Sequence, residues 1–459
     1  MRKILPLLLL AAAACPARAD ETAEPLRITL MDEAVFYDGY NSTVFDANKI
    51  YDGILRHTNY AYAVPLADYL DLIGEDLSLD VIIGALCDNY DRIGEVNIAL
   101  VPKGSGSSYA YDEVERIEIA RFITPFMDKN KEPDEVPYAY EMPDVSAILR
   151  DAELRERYDL WLELEVFGVP YAANQQIEGC ADRNDVFRGT VILNTNPEPA
   201  PVTTDNVLVP IFKKKSEIHG DINFNNYREG ATDTIGVTTR TWEFEIPEDV
   251  ADGQITFILS NHGANEGGEE YRRRLHLVYY DGELVYSYTP GGVSCEPYRV
   301  YNTQLNGIYG YERSDESWER SSNWCPGQAI PTRYLHLGAQ TAGRHRIMIR
   351  VPKARFRDKQ GDFRPSIYFQ GAKEGKVPVG VREVTAPELK AAFTRRGDMV
   401  YVSADAPLTQ ADVYTYDGRL MRGTMEPEKG IDLSGLQEGA YIITVYDRDY
   451  RVYSEKIIK

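Results

Sequence analysis

Trp161-Leu162-Glu163-Leu164-Glu165-Val166-Phe167 alternates two sets of side chains along the chain. Because successive residues of a strand point to opposite faces, Trp161, Glu163, Glu165 and Phe167 share one face and the aliphatic residues between them share the other. Similar short runs recur, separated by Gly, Pro, Asn and Asp, and they predict further strands. These runs are 26–30, 95–101, 116–122, 241–246, 254–259, 274–280 and 346–351.

The fold class follows from the number of these runs. Many short strands joined by turn residues predict an all-β protein made of sandwiches or jelly rolls, not a parallel α/β sheet. Helical periodicity is confined to residues 144–157. A chain of 459 residues is also too long for one compact core, so several domains are expected.

Two stretches predict the domain boundaries. Residues 194–201 contain three prolines in five positions, a composition typical of an extended linker. A second boundary is expected between residues 365 and 388. We therefore predict domains at 20–196 and 202–365, followed by a small antiparallel sandwich at 385–459 that is rich in Asp-Gly and Glu-Gly turns.

The N-terminus has the features of an export signal. Met1-Arg2-Lys3 is followed by an apolar run and then by Ala17-Arg18-Ala19, which predicts a signal peptide over residues 1–19. Lipid attachment at Cys15 is the alternative. No later segment is apolar enough for a membrane-spanning helix. We expect a secreted or periplasmic protein, or one held at the outer membrane or cell surface.

Export to an oxidising compartment would allow the remaining cysteines to form disulfides. Cys87, Cys180, Cys295 and Cys325 are candidates for two disulfides, and three pairings are open.

The net charge and the histidines argue against several classes of function. With 72 acidic and 50 basic residues, the net charge of -22 disfavours nucleic acid and anionic membranes as partners. The six histidines form no metal-ligand pattern, and neither a phosphate loop nor a serine-hydrolase elbow occurs. The sequence therefore predicts no metal and no cofactor.

Four motifs carry a resemblance when they are taken in chain order. They are Cys87-Asp88-Asn89-Tyr90-Asp91-Arg92, Arg121-Phe122-Ile123-Thr124-Pro125-Phe126, Glu269-Glu270-Tyr271-Arg272 and Trp324-Cys325-Pro326-Gly327-Gln328-Ala329-Ile330-Pro331-Thr332-Arg333. From about Arg27 to Val351 the chain resembles the peptide N-glycosidase F family. The corresponding family patterns are C-D-x-W-D-R, G-R-F-I-T-P-Y, C-A-E-W-C-F-R-T-H and W-C-P-G-x-x-V-P-T-R.

The resemblance implies a fold, an activity and catalytic residues. Members are secreted amidases that remove N-linked glycans from asparagine, with the site in a cleft between two adjacent eight-stranded antiparallel jelly rolls. Asp91 matches the principal catalytic aspartate and Glu270 matches a catalytic glutamate. The third acid is Glu165 or Glu163. We prefer Glu165, because Phe167 then replaces the family's sugar-facing tryptophan.

The same resemblance implies contacts with the substrate. The family's glycan-contacting positions correspond to Asp88, Arg92, Trp324 and Arg320, and His262 replaces a family tryptophan. Trp324 packing against the disulfide is the other interpretation of that residue.

The resemblance also bears on the disulfides. It implies a Cys295–Cys325 bridge. The family's local partner of Cys87 is missing here, so a Cys87–Cys180 bridge is a hypothesis.

The C-terminal segment has a resemblance of its own. Residues 385–459 resemble type IX secretion sorting domains, although accessory immunoglobulin-like modules share the pattern.

We expect a monomeric, cofactor-independent amidase acting on N-linked glycoproteins or glycopeptides. A glycoside hydrolase using the same carboxylates and a noncatalytic glycan-binding or adhesion protein are the alternatives.

Overall fold

The structure is a computed structural model of the whole chain. It describes residues 24–41, 51–211, 238–263, 268–304, 308–319, 322–356, 361–378, 389–416, 419–447 and 452–459. Strands dominate these residues, and all the named strand pairs are antiparallel, so the predicted all-β class is confirmed. The predicted signal peptide and Arg320 lie outside the described residues.

Two facing sheets form the first domain, and their inner faces share one apolar core. One sheet has the order β1-β9-β4-β7, and the other has β6-β5-β8-β3-β2. If the short β2 is set aside, this is the strand order of a jelly roll. The strands are β1 (Leu26–Tyr37), β2 (Leu55–Arg56), β3 (Ala61–Pro65), β4 (Leu77–Ala85), β5 (Ile93–Pro102), β6 (Glu115–Ile123), β7 (Glu135–Glu141), β8 (Tyr158–Val166) and β9 (Asp185–Thr195).

A second jelly roll follows with the same strand order and its own core. Its sheets are β10-β18-β12-β16 and β11-β17-β13-β14. Its strands are β10 (Asn206–Pro210), β11 (Thr239–Ile246), β12 (Val250–His262), β13 (His276–Tyr280), β14 (Glu283–Tyr288), β16 (Thr332–Gln340), β17 (Gly343–Arg350) and β18 (Asp362–Ala372).

The second jelly roll extends beyond the end that we predicted for it. Residue 365 lies within β18, where Pro365 pairs with Leu259 of β12. On its other side β18 pairs with β10 only from Tyr368 onwards, so Pro365 has no ladder partner there that would need its missing N–H. The predicted domain end at residue 365 therefore lies inside a central strand.

The first two domains share a sheet. The two-residue strand β15 (Ala329–Ile330), which precedes β16, pairs with Arg121 and Phe122 at the edge of β6. The motif around Cys325 therefore joins the second domain to the first by backbone hydrogen bonds.

The buried Arg121 strengthens this junction. Its guanidinium donates to both carboxylate oxygens of Glu118 at 2.7 and 2.6 Å within the first domain. It also donates to Ser260 Oγ at 2.9 Å and to the carbonyl of Arg364 at 2.6 Å in the second. One side chain thus links both jelly rolls.

Helices are few, as predicted. The segment expected to be helical at 144–157 divides into two short helices because Asp151 caps the second helix by accepting a hydrogen bond from the Leu154 N–H. The helices are α1 (Pro143–Leu149), α2 (Ala152–Arg157), α3 (Ala173–Gln176) and α4 (Asp315–Glu319).

The C-terminal residues form a separate small sandwich of two sheets, β19-β20-β23 and β22-β21-β24-β25, with its own core. A second apolar cluster joins it to the outer face of β13, through residues such as Leu277, Tyr279, Tyr414 and Ile442. Its strands are β19 (Ala391–Arg396), β20 (Met399–Ala404), β21 (Leu408–Thr415), β22 (Leu420–Thr424), β23 (Ile431–Asp432), β24 (Ala440–Asp447) and β25 (Val452–Ile458).

Candidate active site

Two disulfides brace the loops around the candidate site. Cys295 and Cys325 are bonded, and so are Cys87 and Cys180. The implied pair and the hypothetical pair are therefore both confirmed. The second bridge anchors the start of the loop between β4 and β5, which carries Asp91.

Hydrogen bonds fix this loop further. The buried Asp88 carboxylate accepts a hydrogen bond from Arg92 Nε at 2.7 Å and another from the Val169 N–H at 2.7 Å. Arg92 and Thr124 exchange two more, from the Arg92 N–H to Thr124 Oγ1 and from the Thr124 N–H to the Arg92 carbonyl, each at 2.8 Å. The partly buried ion pair of Asp88 and Arg92 thus holds the loop on both sides of Asp91.

Glu270 comes from the second jelly roll. It lies in a single 3₁₀ turn, Glu269–Tyr271, between β12 and β13. The Gly263 N–H donates to Glu270 Oε2 at 3.2 Å. Asn323 Nδ2 donates to the carbonyls of Glu269 and Glu270 at 2.7 and 2.5 Å. Gly263 thus fixes the Glu270 carboxyl, and Asn323 fixes the backbone of the turn.

Asp91 and Glu270 influence one another electrostatically. Burial raises the pKa of Asp91 to about 6, and the Arg92 guanidinium opposes that shift. Burial, and after it the charge of Asp91, raises the pKa of Glu270 to about 8. Asp91 ionises first, so its negative charge is already present when Glu270 loses its proton. At neutral pH the pair therefore holds one proton, mainly on Glu270.

Glu163 and Glu165 lie in a second acidic cluster, on the outer face of the sheet that contains β5 and β8. Glu163 is buried and accepts hydrogen bonds from Arg116 Nε at 2.8 Å and from the Tyr109 hydroxyl at 2.6 Å. This ion pair gives Glu163 a structural role within the first domain.

Glu165 has different surroundings on the same face. It accepts hydrogen bonds from Asn97 Nδ2 at 3.2 Å and from the Tyr111 hydroxyl. Burial, followed by the neighbouring charges of Glu95 and Glu163, raises the pKa of Glu165 to about 8. Glu165 therefore keeps its proton at neutral pH. The neighbouring charges of Glu95, Glu163 and Arg116 all belong to this cluster.

Phe167 follows β8 and is half-buried among aromatic rings. Its ring centroid lies 5.1 Å from that of Tyr40 and 5.5 Å from that of Tyr60. The family resemblance predicts that Phe167 contacts the glycan, and the structure places this residue at an aromatic surface of the first domain.

His262 and Trp324 are both buried. His262 Nε2 lies 2.7 Å from Ser260 Oγ, and burial lowers the pKa of His262 well below its ordinary value, so the ring is neutral. The Trp324 indole N–H donates to the carbonyl of Asn261 at 2.8 Å. Each adjoins a residue that binds Glu270: His262 precedes Gly263, and Trp324 follows Asn323.

A cavity of about 180 Å³ opens beside Tyr271 and carries aromatic, cationic and disulfide groups on its walls. Its lining residues are Tyr271, Cys295, Ile308, Arg313, Trp318, Ser322, Trp324 and Pro326. Trp324 thus has one side in this cavity while its indole N–H is bonded within the wall.

Two residues at this site were not predicted from the sequence. Tyr271 hydrogen-bonds the Glu270 carboxyl, and Asn323 fixes the backbone of the same turn. Tyr271 adjoins Glu270 in the motif and could have been noticed there. The role of Asn323 depends on a contact across the fold, for which the sequence carries no signal.

The described residues lack two features. Among them, no group of three or more His, Cys, Asp or Glu side chains is arranged to hold a metal ion. Within the same residues, no helix combines the length and hydrophobicity needed to cross a membrane.

The fold and the site together define a class of protein: two jelly rolls joined at one edge, with a pair of coupled acids contributed by both. The family model described as peptide-N-glycosidase F, N terminal, matches residues 27–180, and the one described as peptide-N-glycosidase F, C terminal, matches residues 231–369. In this order the two matches cover most of both jelly rolls and more than half of the chain, so the chain belongs to the peptide-N-glycosidase F family.

Two solved structures share the fold of this chain with TM-scores above 0.5. Two crystal forms of PNGF-II are similar to this chain with TM-scores of 0.55 and 0.53, at 18% identity, over 77% of this chain and 66% of that one. The chain thus spans slightly less than two thirds of PNGF-II. PNGase F from Flavobacterium meningosepticum, a glycosylasparaginase, gives a TM-score of 0.49 at 14% identity, over 78% of this chain and 99% of that one. No curated protein matches the chain.

Proposed function

We propose that this protein is an amidase that hydrolyses the linkage between asparagine and N-acetylglucosamine in N-linked glycoproteins or glycopeptides. The observation that carries the proposal is the coupled pair of carboxyl groups, Asp91 and Glu270, whose pKa values lie at about 6 and about 8. Membership of the peptide-N-glycosidase F family supports this substrate class.

Amide hydrolysis needs a base and an acid at the same bond, and the pair supplies both. The Asp91 carboxylate takes a proton from water as the water oxygen attacks the amide carbonyl carbon. Protonated Glu270 gives its proton to the amide nitrogen as the C–N bond breaks. The products are an aspartate in the peptide and a glycosylamine, which then breaks down to free glycan and ammonia.

The neighbours of the pair fit these roles. Arg92 lies within electrostatic range of Asp91 and favours the ionised carboxylate at neutral pH. The Tyr271 hydroxyl hydrogen-bonds the Glu270 carboxyl and lowers its pKa, so it stabilises the carboxylate that remains after Glu270 has given up its proton. Glu165 remains our proposed third acid, with a positioning role. Glu163 is the weaker candidate because Arg116 and Tyr109 already bind it.

The proposal extends to the setting in which the enzyme acts. Two disulfides suit an oxidising compartment, and we propose a secreted or periplasmic enzyme, or one at the cell surface. We propose that it acts as a monomer without a cofactor. The type IX sorting role of the C-terminal sandwich also remains a proposal.

A defined N-glycopeptide, incubated with the full-length protein and analysed by chromatography, tests the function. Wild type should release the intact glycan. Asp91→Asn and Glu270→Gln should each lower the rate at least about 100-fold, since each removes one proton-transfer group. Glu243→Gln, on the exposed edge strand β11, is the matched control and should act as wild type does. Release of a glycan that leaves its innermost sugar on asparagine would instead indicate a glycoside hydrolase.

A further inference from the structure

Two tyrosines of the first domain are unusually exposed to solvent. Tyr40 is 68% exposed and Tyr171 is 53% exposed. Their ring centroids are 6.4 Å apart and their planes differ by only 18°, so both rings present their faces in nearly the same orientation. The edge contact with Phe167 extends this aromatic surface inwards. Neighbouring exposed aromatic rings on a soluble protein mark a binding site more often than isolated ones do.

The fold holds both tyrosines in place. Asp38 is 5% exposed, and its carboxylate accepts a hydrogen bond from the Tyr171 hydroxyl at 3.1 Å and one from the Tyr40 N–H at 3.1 Å. The Gly39 N–H donates to the Gly168 carbonyl at 2.8 Å. These bonds order two loops against each other, so the rings do not have to be ordered by the ligand.

Glycine is needed at position 39 for this arrangement. A Cβ atom there would lie 2.5 Å from Phe167 Cε2, inside any real contact distance. The backbone of one loop therefore packs directly on the aromatic ring of the other.

The aromatic surface adjoins the candidate active site. Asp88 binds both Arg92 and the N–H of Val169, which lies two residues before Tyr171. Arg92 is within electrostatic range of Asp91 and of the Tyr40 hydroxyl. A ligand that reaches Asp91 can thus continue across Arg92 onto the two tyrosines.

We propose that Tyr40 and Tyr171 form an outer carbohydrate subsite, which binds sugars of the oligosaccharide beyond the inner disaccharide of N-acetylglucosamine. The inference rests on the proposed function. Aromatic rings with a polar tip suit sugars, which have an apolar C–H face and a rim of hydroxyl groups. The net charge of -22 favours a neutral ligand such as this over an anionic one.

Calorimetry with free oligosaccharides tests the subsite without any bond cleavage. The full-length protein is titrated with a neutral released N-glycan of five or more sugars and, separately, with the disaccharide of N-acetylglucosamine. Tyr40→Ala and Tyr171→Ala should each lower the affinity for the long glycan, relative to the disaccharide, by roughly tenfold. Tyr171→Phe keeps the ring and should retain most of the affinity. Tyr401→Ala, an exposed tyrosine on β20, is the matched control.

Several outcomes would overturn the subsite. The first is an unchanged affinity ratio in both alanine variants, and the second is no binding of the long glycan by wild type. The third is that the alanine substitutions weaken the binding of a glycan-free peptide and leave the binding of the glycan unchanged. The result is separable from the proposed function. A protein that binds the long glycan through these tyrosines but leaves the amide intact keeps the subsite and loses the amidase. An active amidase whose ratio of glycan to disaccharide affinity is unchanged in both alanine variants keeps the amidase function and loses the subsite.

Discussion

The carboxyl group of Asp91, on the first jelly roll, lies close enough to that of Glu270, on the second, for its charge to raise the Glu270 pKa. The pair exists only when both domains are docked, because each domain supplies one acid. The same junction holds β15 on the edge of β6 and the Arg121 side chain across the boundary. The chemistry of the site therefore depends on the interface between the jelly rolls.

The pH dependence of kcat/KM should be bell-shaped. Asp91 must be ionised and Glu270 protonated, so activity should rise as pH passes about 6 and fall as pH passes about 8. Initial rates on one glycopeptide between pH 4 and 10 would measure the two limbs. A rate that keeps rising beyond pH 9 would contradict Glu270 as the acid.

Glu270→Gln should stabilise the protein at high pH. The folded-state pKa of about 8 lies above the ordinary value of 4.5, so the ionised carboxyl opposes folding. This penalty is absent below pH 4.5, grows as pH rises, and is complete above about 8. We expect a gain in the free energy of unfolding of roughly 1–3 kcal/mol at pH 9 relative to pH 4.5. Urea titrations at the two pH values measure it, and Glu243→Gln on the exposed face of β11 should show no such change.

The two acids of β8 should differ in their effect on stability. Glu163→Gln leaves the buried Arg116 without its counter-charge and should cost about 3–5 kcal/mol. Glu165→Gln replaces a group that already carries a proton at pH 7, so it should cost less than about 1 kcal/mol. Chemical denaturation of both variants gives the comparison. A larger loss for Glu165→Gln would show that our assignment of the two acids is wrong.

Arg121→Met tests the junction between the jelly rolls. It removes the partner of the buried Glu118 and the hydrogen bonds to Ser260 and Arg364, and we expect a loss of about 3–5 kcal/mol in the free energy of unfolding. Arg344→Met, at an exposed ion pair with Glu243, should change it by less than about 1 kcal/mol. Equal effects of the two substitutions would refute the junction role of Arg121.

The sequence predicted the β architecture well because strand alternation is local. The runs at 95–101 and 116–122, for example, lie within β5 and β6. β15 could not be predicted in this way, since two residues between Gly327 and Pro331 show no period. Its pairing with β6 is a contact between distant parts of the chain.

The candidate site was predictable only through motif order. Nothing local to Asp91 or Glu270 shows that they meet, and the raised pKa values arise from burial that only the folded chain creates. The distinction between Glu163 and Glu165 has a similar origin. Both lie on one face of β8, but Arg116 reaches Glu163 from another strand. The burial of His262 is likewise a property of the packed domains.

Mass spectrometry of a defined N-glycopeptide, incubated with the protein in heavy-oxygen water, tests the central claim most directly. We predict loss of the entire glycan and conversion of its asparagine to aspartate carrying one heavy oxygen, with neither change in Asp91→Asn. A glycopeptide that keeps its asparagine, whether untouched or trimmed to the innermost sugar, would contradict the assignment of Asp91 and Glu270 as the base and acid of an amidase.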